Sequence, residues 1–261
     1  MMEHKLAEQI TDIAHQAGKA IMVIYEKDFA IYEKSDESPL TEADLAAHNI
    51  IVEGLQAVSD LPILSEESAN IDWSTRQSWK EYWLVDPLDG TKEFIKKNGE
   101  FTVNIALIKN GVPVLGVVYA PVLNTTYVGV EGLGAYKTTD QGSEKITPIA
   151  HQAGDTWKVV GSRSHQSPAI QALLDKLDGE TELVAMGSSL KLCLVAEGQA
   201  HLYPRLGPTS EWDTGAAQAV VEAAGGKVTI VDEDDVLNVD ASALRYNQKE
   251  SVLNPYFLVS C

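Results

Sequence analysis

Asp86-Pro87-Leu88-Asp89-Gly90-Thr91 follows the apolar run Tyr82 to Val85, and the acidic pair Glu66-Glu67 precedes it. Two carboxylates at the end of a strand, held by a Pro-Leu bend, suit a hard cation, which takes oxygen ligands. The same residues taken alone also fit a surface turn, because Asp-Gly is a hairpin signal and acids at strand ends are commonly solvated. A second acidic element lies far along the chain. Glu211-Trp212-Asp213-Thr214-Gly215-Ala216-Ala217 heads a small-residue helix that ends in Gly225-Gly226. A site drawn from Glu66, Asp86, Asp89 and Asp213 has the ligand hardness that Mg2+ prefers. The lack of Cys or His near these motifs argues against zinc. Clustered magnesium ions suit phosphate-ester hydrolysis, since they neutralise the transferring phosphoryl, generate hydroxide near neutral pH and stabilise the leaving oxygen. Gly90 and Thr91, at a helix start, offer backbone N–H groups to a phosphate.

The ordered set Glu66, Asp86, Asp89, Thr91 and Asp213 resembles the inositol monophosphatase superfamily, lithium-sensitive and magnesium-dependent phosphatases. Their pattern runs acidic residue, Glu-Glu, Asp-Pro-Ile-Asp-Gly-Thr, then Trp-Asp before a small-residue helix. Leu88 in place of Ile is conservative, because the family uses that residue's backbone carbonyl. Gly215 and Ala217 depart mildly from the usual Ala-Ala-Gly run, which touches helix packing more than ligand identity. The resemblance implies that Glu66, Asp86 and the Leu88 carbonyl hold one Mg2+, and that Asp86, Asp89 and Asp213 hold a second. A weaker third would sit near Glu66 through water, two to three ions in all. It also implies that Thr91 and Asp44 position the attacking water, with Glu66 in the same catalytic set; a hydroxyl bonded to a carboxylate can fill that role. The plainer alternative for Asp44 is an ordinary acid at a helix start. Inhibition by Li+ follows from the resemblance, and inhibition by Ca2+ from its larger radius and looser coordination, which misplace the water.

The second half speaks to substrate. It holds Gly161-Ser162-Arg163-Ser164-His165, Gly187-Ser188-Ser189-Leu190-Lys191 and Tyr203-Pro204-Arg205. Each has a bland explanation, since Ser and Gly cap helices and a lone Arg is usually solvated. Together they place Arg163, His165, Lys191 and Arg205 in an otherwise acidic half, which suits a substrate carrying a second phosphate. These segments, with Glu250 to Pro255, resemble the CysQ type of 3′(2′),5′-bisphosphate nucleotidase within that superfamily. In that type the residues matching Ser188, Lys191 and Arg205 recognise the adenosine 5′-phosphate while the metals attack the 3′-phosphate. The implied substrate is 3′-phosphoadenosine 5′-phosphate, giving AMP and phosphate. The substrate-binding set carried over is Gly90, Thr91, His165, Ser188, Lys191, Arg205 and Asp213. An inositol or other sugar monophosphatase on the same scaffold is the nearest alternative; a non-catalytic divalent-cation-binding protein is a remote one. No Gly-x-Ser-x-Gly elbow, Gly-rich phosphate loop ending in Lys-Ser or Lys-Thr, His-Glu-x-x-His or Cys-x-x-Cys is present.

The elements that must position these residues follow from periodicity. Leu6, Ile10, Ile13, Ala17, Ile21 and Ile24 recur at helical spacing. After the polar stretch Lys34 to Pro39, Thr41-Glu42-Ala43-Asp44 starts a second helix through Leu55. Leu61 to Leu64 and Tyr82 to Val85 read as buried strands, and Phe101 to Ile108, Val112 to Tyr119 and Thr125 to Val130 as an antiparallel meander turning at Lys109-Asn110-Gly111. Beyond a polar joint, strand Lys158 to Val160, a helix from Ser167-Pro168, strand Leu183 to Ala185, helix Ser189 to Glu197, strand Ala200 to Tyr203 and helix Asp213 to Ala224 alternate as an α/β unit. The expected fold is thus α+β / α/β, the layered α-β-α-β-α sandwich that the resemblance implies. Its domains are 1–152, carrying most metal ligands, and 153–261, carrying Asp213 and the substrate-recognition residues.

At 261 residues the chain is long enough for a substantial core. Thirty-eight acidic against 20 basic residues, a formal charge of −18, disfavour nonspecific binding to nucleic acid or an anionic membrane. Two cysteines, Cys193 in an apolar helical run and Cys261 at the end, point to a reducing compartment rather than a disulfide framework. No integral membrane segment and no apolar signal core are visible, so a cytoplasmic protein is expected, compatible with peripheral association at the inner membrane face. Nothing in the sequence points to a partner protein.

Overall fold

The computed structural model describes residues 2–27, 31–33, 39–161, 168–238 and 241–261. Ile10, Ile13, Ala14, Ala17 and Ile21 fall on one buried face of α1 (Met2–Tyr25). After β1 (Ile31–Glu33) and β2 (Pro39–Thr41), α2 (Glu42–Val58) opens at a reciprocal cap. Thr41 Oγ1 accepts from the Ala43 N–H at 3.2 Å, and Asp44 Oδ2 accepts from the Thr41 N–H at 2.8 Å. The expected polar loop Lys34 to Pro39 lies almost wholly outside the described residues.

One seven-stranded sheet follows, in the order β3 (Ile63–Ser65), β4 (Glu81–Asp89), β5 (Thr102–Lys109), β6 (Val112–Ala120), β7 (Thr125–Val130), β8 (Gly134–Thr139) and β9 (Gly142–Ile146). Only β3 and β4 pair in parallel. A 3-10 turn (Glu66–Ser68), α3 (Trp73–Arg76) and α4 (Thr91–Ile95) leave the sheet at its β3–β5 side. The turn at Asn110 (φ +49°) and Gly111 (φ +78°) has the two left-handed residues that a two-residue hairpin needs. The meander runs two strands further than the sequence suggests. β8 and β9 are mostly solvent-facing and carry Lys137, Thr138, Ser143, Glu144 and Lys145, so they show little of the alternation that marks a half-buried strand.

The strand that matters most for the site is β4. Tyr82 and Leu84 face one side of the sheet and Trp83 and Val85 the other; in β5 Ala106 and Ile108 share the first side, Val103, Ile105 and Leu107 the second. Both sides are covered, which is why these strands read as unbroken apolar runs. α1 and α2 cover the second side. The first is covered by α6 (Leu190–Ala196) and α7 (Glu211–Ala224), which arrive from the last third of the chain. α7 lies close to the sheet because glycines make room: a Cβ on Gly116 would sit 2.1 Å from the Ala216 carbonyl oxygen, and one on Gly129 2.4 Å from Val220 Cα. Gly215 of α7 meets Leu84, so the departure from the family run there bears on packing, as expected.

Beyond α6 and α7 lies a second sheet region: the parallel pair β10 (Trp157–Gly161) and β11 (Thr181–Ala185), and the order β12-β14-β13, with β12 Tyr203–Arg205, β13 Lys227–Ile230 and β14 Phe257–Ser260. α5 (Pro168–Lys176) closes the far side, where Leu173 and Leu174 pack with Val159 and Leu258. The order of layers is therefore helix, sheet, helix, sheet, helix, as the sequence resemblance implied. The strand expected over Ala200 to Tyr203 begins only at Tyr203, because Leu202 bridges to Val159 instead of to β14. Among the described residues no helix is long and apolar enough to cross a membrane.

Candidate active site

β4 does not stop before the acidic motif; it runs through it. Asp86 stands opposite Asn104 and Asp89 opposite Thr102, with a bulge between them over Pro87 and Leu88. Asp86 continues the Tyr82–Leu84 side of the strand and so faces α7. There Asp213 sits in the first turn, its Oδ2 accepting from the Ser210 N–H at 2.8 Å. Carboxylate oxygens of Asp86, Asp89 and Asp213 all lie within 4.8 Å of one another. Glu66, the first residue of the turn leaving β3, closes on this group from the neighbouring strand and hydrogen-bonds the Asp86 carboxyl. The bulge turns the Leu88 N–H onto Asp86 Oδ1 at 3.1 Å, and the Leu88 carbonyl oxygen lies 3.4 Å from Thr91 Oγ1.

The electrostatics are those of an uncompensated acidic cluster. Burial, then the charges of Glu66, Asp89 and Asp213, push the Asp86 carboxyl well above its ordinary range. Asp89 is raised to about 8 by burial and Asp213, with Lys191 and the Ser189 N–H pulling the other way. Asp213 is raised to about 6 by burial, against the Ser210 N–H. A buried all-oxygen donor set that cannot ionise fully by itself fits a hard divalent cation.

Thr91 lies just beyond Gly90, whose φ of +91° is the left-handed value that starts α4. The Thr91 hydroxyl donates to Asp44 Oδ1 at 3.2 Å. Asp44 is also the acid at the start of α2: Oδ2 takes the Thr41 N–H and hydroxyl, at 2.8 and 2.7 Å, and Oδ1 is left toward Thr91.

Two cavities meet at Asp89, Gly90, Glu93, Thr209 and Asp213. One, about 450 Å³, opens over Glu66 and Thr91. The other, about 330 Å³, is walled by Ser188, Lys191, Arg205 and Tyr203. Among the described residues, Ser188 Oγ and Arg205 Nε are buried with no hydrogen-bond partner. Ser188 holds a φ of +47°, unusual for a residue with a side chain. Lys191 Nζ rests 5.8 Å from the centre of the Tyr203 ring, and an Arg205 Nη2 group donates to the Pro208 carbonyl at 3.0 Å. Structure thus brings together Glu66, Asp86, Asp89 and Asp213, beside Asp44 with Thr91, and Ser188 with Lys191 and Arg205. Arg163 and His165 lie outside the described residues.

Sequence reasoning missed two supports of the site. Thr102, Asn104 and Ser189 form a buried hydrogen-bonded group under Asp89; an amide inside the apolar run Val103 to Ile108 is the signal that points to it. Arg76, buried on α3, donates to Asn247 Oδ1 at 2.9 Å and to the Glu250 carbonyl, while the Asn247 N–H donates to Glu211 Oε1 at 2.9 Å. Burial raises Glu211 to about 7, with the Asn247 N–H and Arg76 opposing. This group braces the start of α7, and nothing local in the sequence marks it.

The fold and the carboxylate cluster define a protein of the layered, cation-dependent phosphatase class. The chain belongs to the inositol monophosphatase family, whose sequence pattern matches residues 2–255. The family is metal-dependent, and the carboxylate cluster is in keeping with that. The chain is 50% identical over 258 residues to the 3′(2′),5′-bisphosphate nucleotidase CysQ of Salmonella typhimurium and 49% identical to that of Shigella flexneri, in both cases covering 98% of this chain and 99% of the relative. Its structure superposes on that of CysQ from Bacteroides thetaiotaomicron with a TM-score of 0.84 at 45% identity, covering 98% of this chain and 97% of that one.

Proposed function

We propose that this chain removes the 3′-phosphate of 3′-phosphoadenosine 5′-phosphate, yielding AMP and phosphate, with Mg2+ as cofactor. The observation that carries the substrate reading is the pair of buried, unpartnered donors, Ser188 Oγ and Arg205 Nε, in a cavity that shares Asp89 and Asp213 with the carboxylate site. A buried donor without an acceptor costs roughly 1–3 kcal/mol, and a second phosphate on the substrate removes that cost. A sugar monophosphate has no second phosphate to place there.

Glu66, Asp86, Asp89 and Asp213, with the Leu88 carbonyl, would hold two to three ions. Bound there, Mg2+ supplies charge neutralisation for the phosphoryl group, acidification of water and stabilisation of the leaving oxygen. The chain's own residues do the rest. Thr91 gives its hydroxyl proton toward Asp44, so its oxygen accepts from the attacking water and aligns it. Water's oxygen forms the new bond to phosphorus as the bond to the 3′-oxygen breaks; one of the water's two protons stays on the phosphate and the other ends on the 3′-oxygen, which leaves as a hydroxyl. The Gly90 and Thr91 N–H groups face the phosphate, and Ser188, Lys191, Arg205 and His165 serve the nucleotide. The same reading divides the chain into 1–152, which supplies Glu66, Asp86 and Asp89, and 153–261, which supplies Asp213 and the nucleotide contacts, and it places the protein in the cytoplasm.

Phosphate release from 3′-phosphoadenosine 5′-phosphate, 3′-AMP and inositol 1-phosphate, at millimolar Mg2+, tests it. The bisphosphate should lead by at least about tenfold in kcat/KM, one charge-assisted hydrogen bond's worth. Lithium at millimolar levels should inhibit, and Ca2+ should compete without supporting turnover. Inositol 1-phosphate as the better substrate would hand the site to the sugar phosphatase reading.

A further inference from the structure

Under the carboxylate site, three side chains close a ring. The Ser189 hydroxyl donates to Asn104 Oδ1 at 2.7 Å, Asn104 Nδ2 donates to Thr102 Oγ1 at 3.0 Å, and Thr102 Oγ1 lies 2.8 Å from Ser189 Oγ. Because the Ser189 proton is given to Asn104, the last bond runs from the Thr102 hydroxyl to Ser189. Each member therefore donates once and accepts once within the ring, and all three are buried. Such a closed circuit polarises its members in one sense and leaves no buried ring hydroxyl without a partner.

Its placement matters more than its energy. Asn104 and Thr102 are the residues of β5 directly opposite Asp86 and Asp89 of β4. Ser189 comes from the other half of the chain and immediately precedes α6. Its backbone N–H donates to Asp89 Oδ2. The ring thus takes the strand that pairs with two of the carboxylates and pins to it the Ser189 N–H that donates to Asp89. Ser188 and Lys191 flank Ser189 in the chain, so the same anchor sets the distance between the donor cavity and the carboxylates.

We infer that Thr102, Asn104 and Ser189 are positioning residues for cation binding: the ring holds the Ser189 N–H on Asp89 and thereby turns that carboxylate toward Asp86 and Asp213. Groups in this relation to a metal ligand change metal affinity by roughly 10- to 100-fold when removed. The inference rests on the metal-binding part of the proposed function and not on the identity of the substrate.

Mg2+ titrated calorimetrically into the metal-stripped full chain at pH 8 tests it without turnover. Thr102→Val keeps the volume and loses the hydroxyl; Thr102→Ser keeps the hydroxyl and loses the methyl. Thr102→Val and Ser189→Ala should each weaken Mg2+ binding about tenfold, while Thr102→Ser should stay within about threefold of wild type even where its melting temperature falls. The double variant Thr102→Val/Ser189→Ala should bind little worse than the weaker single one, since either change opens the ring. Wild-type affinity in Ser189→Ala, or losses that multiply in the double variant, would overturn the inference. Should Thr102→Val fail to fold, Ser189→Ala with Asn104→Leu decides the same question. No Mg2+ binding by wild type would instead overturn the metal reading itself.

Discussion

Asp86 and Asp89 hang from a strand hydrogen-bonded on both sides in the large sheet, with Glu66 just past the end of its parallel neighbour, whereas Ser188, Lys191 and Arg205 stand on a turn, a two-turn helix and a three-residue strand. The two walls also err in opposite directions. On the sheet side, carboxylates crowd until burial and mutual repulsion hold Asp86 and Asp89 far above their ordinary range. On the other side, Ser188 Oγ and Arg205 Nε are buried with no hydrogen-bond partner among the described residues. A rigid sheet can hold like charges in place against repulsion; a turn with a left-handed Ser188 can hold donors open. Each wall is incomplete in the sign that its ligand supplies, a cation for the first and an anion for the second. The contrast explains how a chain of net charge −18 can serve an anionic substrate: repulsion is neutralised at one wall and the few cations are kept for the other.

The comparison breaks most readily at the sheet wall. Asp86→Ala or Asp213→Ala should lower turnover by about three orders of magnitude, roughly 4 kcal/mol, because each removes a shared oxygen donor from the cation cluster. Steady-state rates at millimolar Mg2+ check this, and near-normal turnover in either variant would remove the cluster from the chemistry.

At the donor wall the effect should be smaller and selective. Lys191→Ala or Arg205→Ala should cost about 1.5–3 kcal/mol in kcat/KM on the bisphosphate, the range for a hydrogen bond to a charged group, and little on 3′-AMP. The ratio of kcat/KM for the two substrates is the readout. An equal drop on both would mean that the two residues support the sheet wall or the fold instead.

The finest test is stability against pH without metal. Asp89 and Asp213, at about 8 and about 6 when folded against an ordinary 3.8, hold protons better in the folded state than in the unfolded one. Stability of the metal-free protein should therefore fall as pH rises from about 4 to 8, by up to about 1.4 kcal/mol per pH unit for each group. Mg2+ should raise the melting temperature strongly at pH 8 and little at pH 5. Asp89→Asn should flatten the metal-free profile, and that variant should be more stable than wild type at pH 8. A metal-free profile that rises with pH would contradict the crowding at this wall.

Much of this was legible in the residues themselves. The acidic motif, the cap at Thr41 to Asp44, the Asn110-Gly111 turn and the small-residue run after Asp213 are local signals, each with a steric or hydrogen-bonding cause acting within a few positions. They determined the ligand types, most strands and helices, and the hard-cation chemistry. Other features depend on contacts between residues about a hundred positions apart. That Asp86 faces Asp213 rather than α1 follows from the side of the sheet that α7 covers, and α7 reaches that side only because Gly116 and Gly129 admit its backbone. That Ser189, and not its neighbour Ser188, joins Asn104 and Thr102, while Ser188 Oγ is buried with no hydrogen-bond partner among the described residues, was decided by the left-handed turn before α6. Arg76 reaches Asn247 and the Glu250 carbonyl across 171 and 174 positions. Residue type sets what a side chain can donate, accept or ligate; which partner it finds is a property of packed layers, because a hydrogen bond or a cation site needs atoms within about 3 Å, and only the tertiary fold fixes distances that short between distant parts of a chain.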